Sequence, residues 1–167
     1  MTALEEFDLE FGTEQELANL DSGNGPDIPY GEYIVTMDSV SVHASKAGFP
    51  TAYFDFKIEE AKDESLIDLS IFFSKSIGGD DPINTKKKLG MFKNFINNFK
   101  PTTPFQLTDC TKESDGKLKF SYDTLGEILS DIQMELAERE CSFKIKYDKN
   151  KNGYEEIYVE EIYEGEA

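Results

Sequence analysis

Residues 28–74 read IPYGEYIVTMDSVSVHASKAGFPTAYFDFKIEEAKDESLIDLSIFFS. The segment is rich in β-branched and aromatic residues and is broken at two turn-like places. In its middle, Ala52, Phe54, Phe56 and Ile58 alternate with Thr51, Tyr53, Asp55 and Lys57. A period of two in such residues is the pattern of a half-buried strand. The segment therefore predicts three antiparallel strands, at about Tyr33–His43, Thr51–Glu59 and Leu66–Ser74. The connection from Ala44 to Pro50 carries Gly48 and Pro50, and the one from Glu60 to Ser65 is polar, as turns require.

The 167 residues suit a single domain with a sizeable core. A hydrophobic fraction of 38% and a mean hydropathy of -0.51 suit a soluble body with polar extensions. No apolar run reaches the ~20 residues of a membrane helix. The acidic N-terminus fits neither a secretory signal nor a transit peptide. Two distant cysteines and one histidine argue against a Cys/His zinc site. A reducing cytoplasm is the expected location.

The net charge of -17 is unevenly spread. Residues 1–30 hold eight acids and no Lys or Arg, and residues 153–167 hold six acids and none. The body between them holds 20 acids against 17 bases, a net of -3. A nearly balanced body with acidic ends can still present a locally positive surface, because potentials decay over ~8 Å at physiological salt.

Residues 1–27 form an acidic N-terminal arm carrying Leu4, Phe7, Leu9, Phe11, Leu17 and Leu20. Such a segment either orders on a partner or tucks its aromatics onto its own domain. The domain proper spans 28–163, and 164–167 is a short acidic end. After the three strands, Asp81-Pro82 reads as a cap followed by a first helical residue. Leu89, Phe92, Ile96 and Phe99 then share one helical face. Lys86, Lys87 and Lys88 oppose the dipole of that helix near its start. Residues 101–120 read as a Pro/Thr-rich loop containing Asp115-Gly116. A second helix is predicted over Tyr122–Glu138, with a stripe of Leu125, Ile128, Leu129, Ile132 and Leu136. The chain ends in a hairpin, with Cys141, Phe143, Ile145 and Tyr147 alternating on its first strand and Tyr154–Tyr163 as its second.

Three strands, a helical insertion and two strands make a mainly β, α+β fold. The expected architecture is a five-stranded antiparallel barrel of the oligonucleotide/oligosaccharide-binding (OB) type, with the helices inserted between strands three and four. Closure would hide the edge strands. A β-sandwich, or an α+β roll with both helices on one face, is the alternative.

No phosphate loop, dinucleotide fingerprint, nucleophile elbow or zincin motif is present. The reading is non-enzymatic, with no cofactor. Asp80 and Asp81 are weak metal-ligand candidates, since capping accounts for Asp81. His43 lacks a partner that would make it a base, and Cys141 reads as a small apolar packer. Binding chemistry is better represented. Single strands are held by positive grooves and aromatic faces. Tyr53 and Lys57 share the polar face of the second strand, and Lys144 and Lys146 share that of the fourth. Lys46 and Phe49 lie in the first turn, where OB barrels often grip ligands. Lys149 and Lys151 crown the last hairpin. These eight residues are the candidate nucleic-acid contacts, expected to converge on one concave side. With Arg139 the single arginine, backbone contact is favoured over base-specific bidentate reading.

The segments FDLEF, IPYGEYIVTMDSV, SKAGFP, AYFDFKI, KKLGMFKNFI, LGEIL and ERECSFKIKYDKNKNGYEEIYVEEIYE resemble a family of phage early proteins. These are encoded near replication and recombination genes and are single-stranded-DNA-binding-like. The resemblance covers most of residues 7–163. It implies an OB fold, sequence-independent binding of exposed single strands, and replication or recombination partners reached through the acidic ends. It transfers no named contact residue. A homo-oligomer is compatible with it, and no membrane is implied. The competing expectation, drawn from charge, is an acidic interaction protein or nucleic-acid mimic that inhibits a host factor.

Overall fold

The computed structural model describes residues 28–165. The acidic arm of residues 1–27 lies outside them, as do residues 166 and 167. The elements are β1 (Gly31–Ala44), β2 (Pro50–Glu60), β3 (Ser70–Ser76), α1 (Pro82–Asn97), β4 (Thr111–Ser114), β5 (Lys117–Phe120), α2 (Tyr122–Glu138), β6 (Ser142–Lys149) and β7 (Glu155–Tyr163). Five strands form one antiparallel sheet in the order β3-β2-β1-β6-β7, and β4 and β5 form a separate hairpin. No helix among the described residues is long and apolar enough to cross a membrane.

The alternation in the second strand sets the inner face. Val35, Met37, Val40 and Val42 of β1 stand opposite Ile58, Phe56, Phe54 and Ala52 of β2. Phe54 and Phe56 in turn face Phe73 and Ile71 of β3. α1 brings Phe92, Phe95 and Ile96 to this face, with Phe99 just beyond its end. The Phe99 ring packs 5.8 Å from Phe56 and 4.9 Å from Phe143 of β6. One ring thus touches strands on both sides of β1, so the sheet curls around the end of α1. Edge-on and offset aromatic pairs of this kind each add roughly 0.5–1.5 kcal/mol beyond the area they bury.

β1 pairs with β6 only over Gly31–Val35. A register irregularity between Met37 and Ser39 bends the strand away from β6. α2 covers the flank so exposed. Leu125 and Leu129 are buried, and the helix passes close to Val42, which lies 3.7 Å from where a Cβ on Gly126 would be, an ordinary contact distance. The side-chain amide of Gln133 donates to the Met37 and Asp38 carbonyls at 3.1 and 3.2 Å. That bond satisfies backbone acceptors a neighbouring strand would otherwise take. Both helices therefore pack on the face that carries Phe54 and Phe56.

The α+β class is as expected, but the barrel does not close. Among the described residues no backbone pairing joins β3 to β7, and the sheet keeps two edges. The side chains of Lys75 and Glu156 meet across the gap at 3.1 Å. Two local expectations also change. The third strand begins at Ser70 rather than Leu66, because Asp63 caps a short 3₁₀ turn over Glu64–Leu66 and Asp68 has a left-handed φ of 71°. The expected loop 101–120 contains the β4–β5 hairpin. Asp115 and Gly116, at φ of 54° and 73°, supply the two positive φ values of a tight hairpin turn.

Candidate nucleic-acid interface

Two lysine-bearing turns and one lysine of α1 are brought to the end of β3, near Ser76. The Ile77 N–H donates to the Pro50 carbonyl at 3.0 Å, which places the end of β3 beside the β1–β2 turn bearing Lys46 and Phe49. From α1, the Lys88 ammonium donates to the Ser76 hydroxyl at 3.1 Å. Lys75 reaches Glu156, the second residue of β7, so the β6–β7 turn with Lys149 and Lys151 also approaches this end. That turn is held by the Asn150 side-chain oxygen, which accepts from the Asn152 and Tyr154 N–H groups. Gly78 permits the crowding, because a Cβ there would sit 2.7 Å from the Tyr122 hydroxyl and 3.0 Å from Pro50. Among the described residues, none of Lys46, Lys88, Lys149 and Lys151 is in an ion pair.

The outer face of β2 and β3 runs down from this rim. Tyr53 lies on it between Ser41 and Ser74, and Lys57 between Thr36 and Ser70. Phe72, 41% exposed, stands there opposite Asp55. The His43 ring lies 6.1 Å from that of Tyr53. Three flat rings thus share a surface bordered by serines. One carboxylate oxygen of Asp55 is buried without a hydrogen-bond partner. Lys57 is 3.7 Å from Asp68, an exposed pair of little energetic weight.

Lys144 and Lys146 lie on the same sheet face, but two strands away on β6. Lys144 stands opposite Ile34 and Glu161, and Lys146 opposite Glu32 and Tyr158. Lys146 is also 3.6 Å from Asp148. Acids flank this pair in the register, and only Lys146 forms an ion pair among the described residues; the eight expected contacts do not converge on one concave side. They divide into the rim set (Lys46, Phe49, Lys149, Lys151), the outer β2 set (Tyr53, Lys57) and the β6 set. Phe49, expected as an exposed aromatic, is half-buried, and its backbone hydrogen-bonds with Ser45 across the turn.

A sizeable concavity elsewhere has the opposite sign. A cleft of about 810 Å³ opens where β1 leaves β6, beside the last turn of α2. Asp38, Glu59, Glu60 and Glu140 line it together with Met37, Leu136 and Tyr163, and no Lys or Arg does. It is unsuited to a phosphate backbone. Asp81 accepts from the Ile83 N–H and caps α1, as its sequence context implied. Cys110 and Cys141 are free and buried. Burial, reinforced by Asp109, pushes the Cys110 thiol up to about 11.

Sequence reasoning missed Phe72, although it points outward with the same period of two that revealed Tyr53. It also missed Lys112, Lys117 and Lys119, because the Asp115-Gly116 pair was assigned to a loop. Comparison with protein-family models, with curated proteins and with solved structures finds no match.

Proposed function

We propose that this protein is a non-catalytic, sequence-independent binder of single-stranded DNA that serves phage replication or recombination. The supporting observation is the rim around Ser76, where lysines of two turns and one helix adjoin the outer-face rings of Tyr53 and Phe72. Phosphates take the lysines and bases stack on the rings. The scaffold favours this reading. β3 and β7 run in the same direction, as the antiparallel order requires. With Lys75 and Glu156 bridging them, the sheet resembles an OB-type barrel left open along one seam, and such barrels are often partly open. The outer face of strands two and three is where that fold holds oligonucleotides.

The test is fluorescence anisotropy with a labelled oligo-dT, challenged by unlabelled single strand and by duplex. Single strand is expected to displace the probe at far lower concentration than duplex. Equal competition, or no binding, overturns the proposal.

The acidic cleft favours a second reading, an interaction protein that takes a basic segment of a partner. On that reading Glu59→Gln with Glu60→Gln weakens partner capture and leaves oligo-dT binding unchanged.

A further inference from the structure

The β4–β5 hairpin is a solvent-exposed finger. Lys112, Glu113 and every residue from Asp115 to Lys119 are exposed, with Leu118 at 72%. Its register puts Lys112 directly opposite Lys119, and Lys117 follows two residues before Lys119 on the same strand. Alternation therefore places all three lysines on one face and sends Glu113 and Leu118 to the other. Like charges directly opposite each other destabilise a strand pair, and a lone two-stranded hairpin is at best marginal in water. None of the three lysines is in an ion pair among the described residues. A face this arranged is relieved by an anion lying along it.

The base of the finger locates that anion. The Phe120 ring is 5.1 Å from the Tyr122 ring, and the Tyr122 hydroxyl donates to the Ile77 carbonyl at 2.8 Å. Ile77 is the neighbour of Ser76, so the finger springs from the lysine-bearing rim. We propose that the three-lysine face of the β4–β5 finger is a second contact surface for the phosphate backbone, extending the site beyond the rim. This rests on the single-strand reading above and adds to it a longer footprint.

The test compares the full-length protein with a Lys112→Gln, Lys117→Gln, Lys119→Gln variant on a 30-nucleotide oligo-dT. All three side chains are exposed, so the variant is expected to fold, and removing the Lys112–Lys119 repulsion does not oppose this. Each lost phosphate contact removes about 0.7 from the slope of log affinity against log salt for single strands. The expected result is a slope shallower by about 2, with slowed amide exchange over residues 111–120 when the wild-type protein binds. Glu113→Gln, on the opposite face, is expected to leave the slope unchanged. Wild-type binding with an unaltered slope in the triple variant overturns the finger and leaves the rim standing. Absence of wild-type binding overturns both.

Discussion

The Lys75 ammonium lies 3.1 Å from the Glu156 carboxylate and 5.1 Å from the centre of the Phe95 ring. The pair joins the last residues of β3 to the first of β7, the two strands that share no backbone bond. Both side chains are mostly buried, at 16% and 21% exposure. Removing one partner strands a charge that is partly out of water, which is costly. Lys75→Met keeps the packing over Phe95 and is expected to destabilise by about 1–3 kcal/mol, on the scale for an unpaired charge or hydrogen-bonding group. Urea unfolding measures it. Adding Glu156→Gln is expected to restore part of the loss, and strict additivity contradicts the latch.

The division of the lysines predicts unequal effects on binding. Lys149→Gln with Lys151→Gln removes two rim charges that form no ion pair among the described residues, although Lys149 stands opposite Glu155, and oligo-dT affinity is expected to fall about tenfold at low salt. Lys144→Gln with Lys146→Gln removes charges on β6, away from the rim, that stand across from Glu161 and Glu32 and beside Asp148, and is expected to change affinity less than about threefold. Phe72→Ala is expected to cost about 1–3 kcal/mol, the range for one stacked base.

Glu135 links acid stability to the end of α2. Burial raises its pKa, but the Thr102 N–H donating at 2.7 Å and Arg139 outweigh it, so the carboxyl is held below its ordinary 4.5. Arg139 also bonds Glu164, tying down the start of the acidic C-terminal end. A folded-state pKa below the unfolded one gives stability that is present above about pH 5 and is lost as pH falls through the folded value. Glu135→Gln is therefore expected to lower stability at pH 7 and to flatten its decline below pH 5. Denaturant titrations at several pH values measure this, and parallel declines in both proteins contradict it.

Residues 1–27 carry eight acids and no base. Like charge competes with phosphate for the same lysines, so deleting these residues is expected to strengthen oligo-dT binding at low salt, with the gain fading as salt rises. Loss of binding on deletion assigns the contact to the arm instead.

The strands were legible where burial is one-sided. Phe54, Phe56 and Ile58 alternate with polar residues because one face meets α1 and the other meets solvent. The two helices were legible from Asp81-Pro82 and from the leucine stripe of α2. The β4–β5 hairpin was hidden because its exposed residues offer almost no hydrophobic alternation, leaving only Asp115-Gly116 as a signal. Closure of the barrel was not legible, since it depends on how far β1 bends at Met37 and Ser39 and on Gln133 occupying the flank. The site was half visible. Period two placed Tyr53 with Lys57 and Lys144 with Lys146, but the facing acids belong to β1 and β7. Only the register reveals that Glu161 and Glu32 sit across from those lysines.

The most direct test is the salt dependence of oligo-dT binding by the full-length chain, followed by anisotropy from about 20 mM to 300 mM salt. The Ser76 rim predicts measurable affinity at the low end and a log–log slope of about -3 from roughly four phosphate contacts, which the three finger lysines deepen to about -5. A slope near zero, or no binding at the lowest salt, contradicts the account.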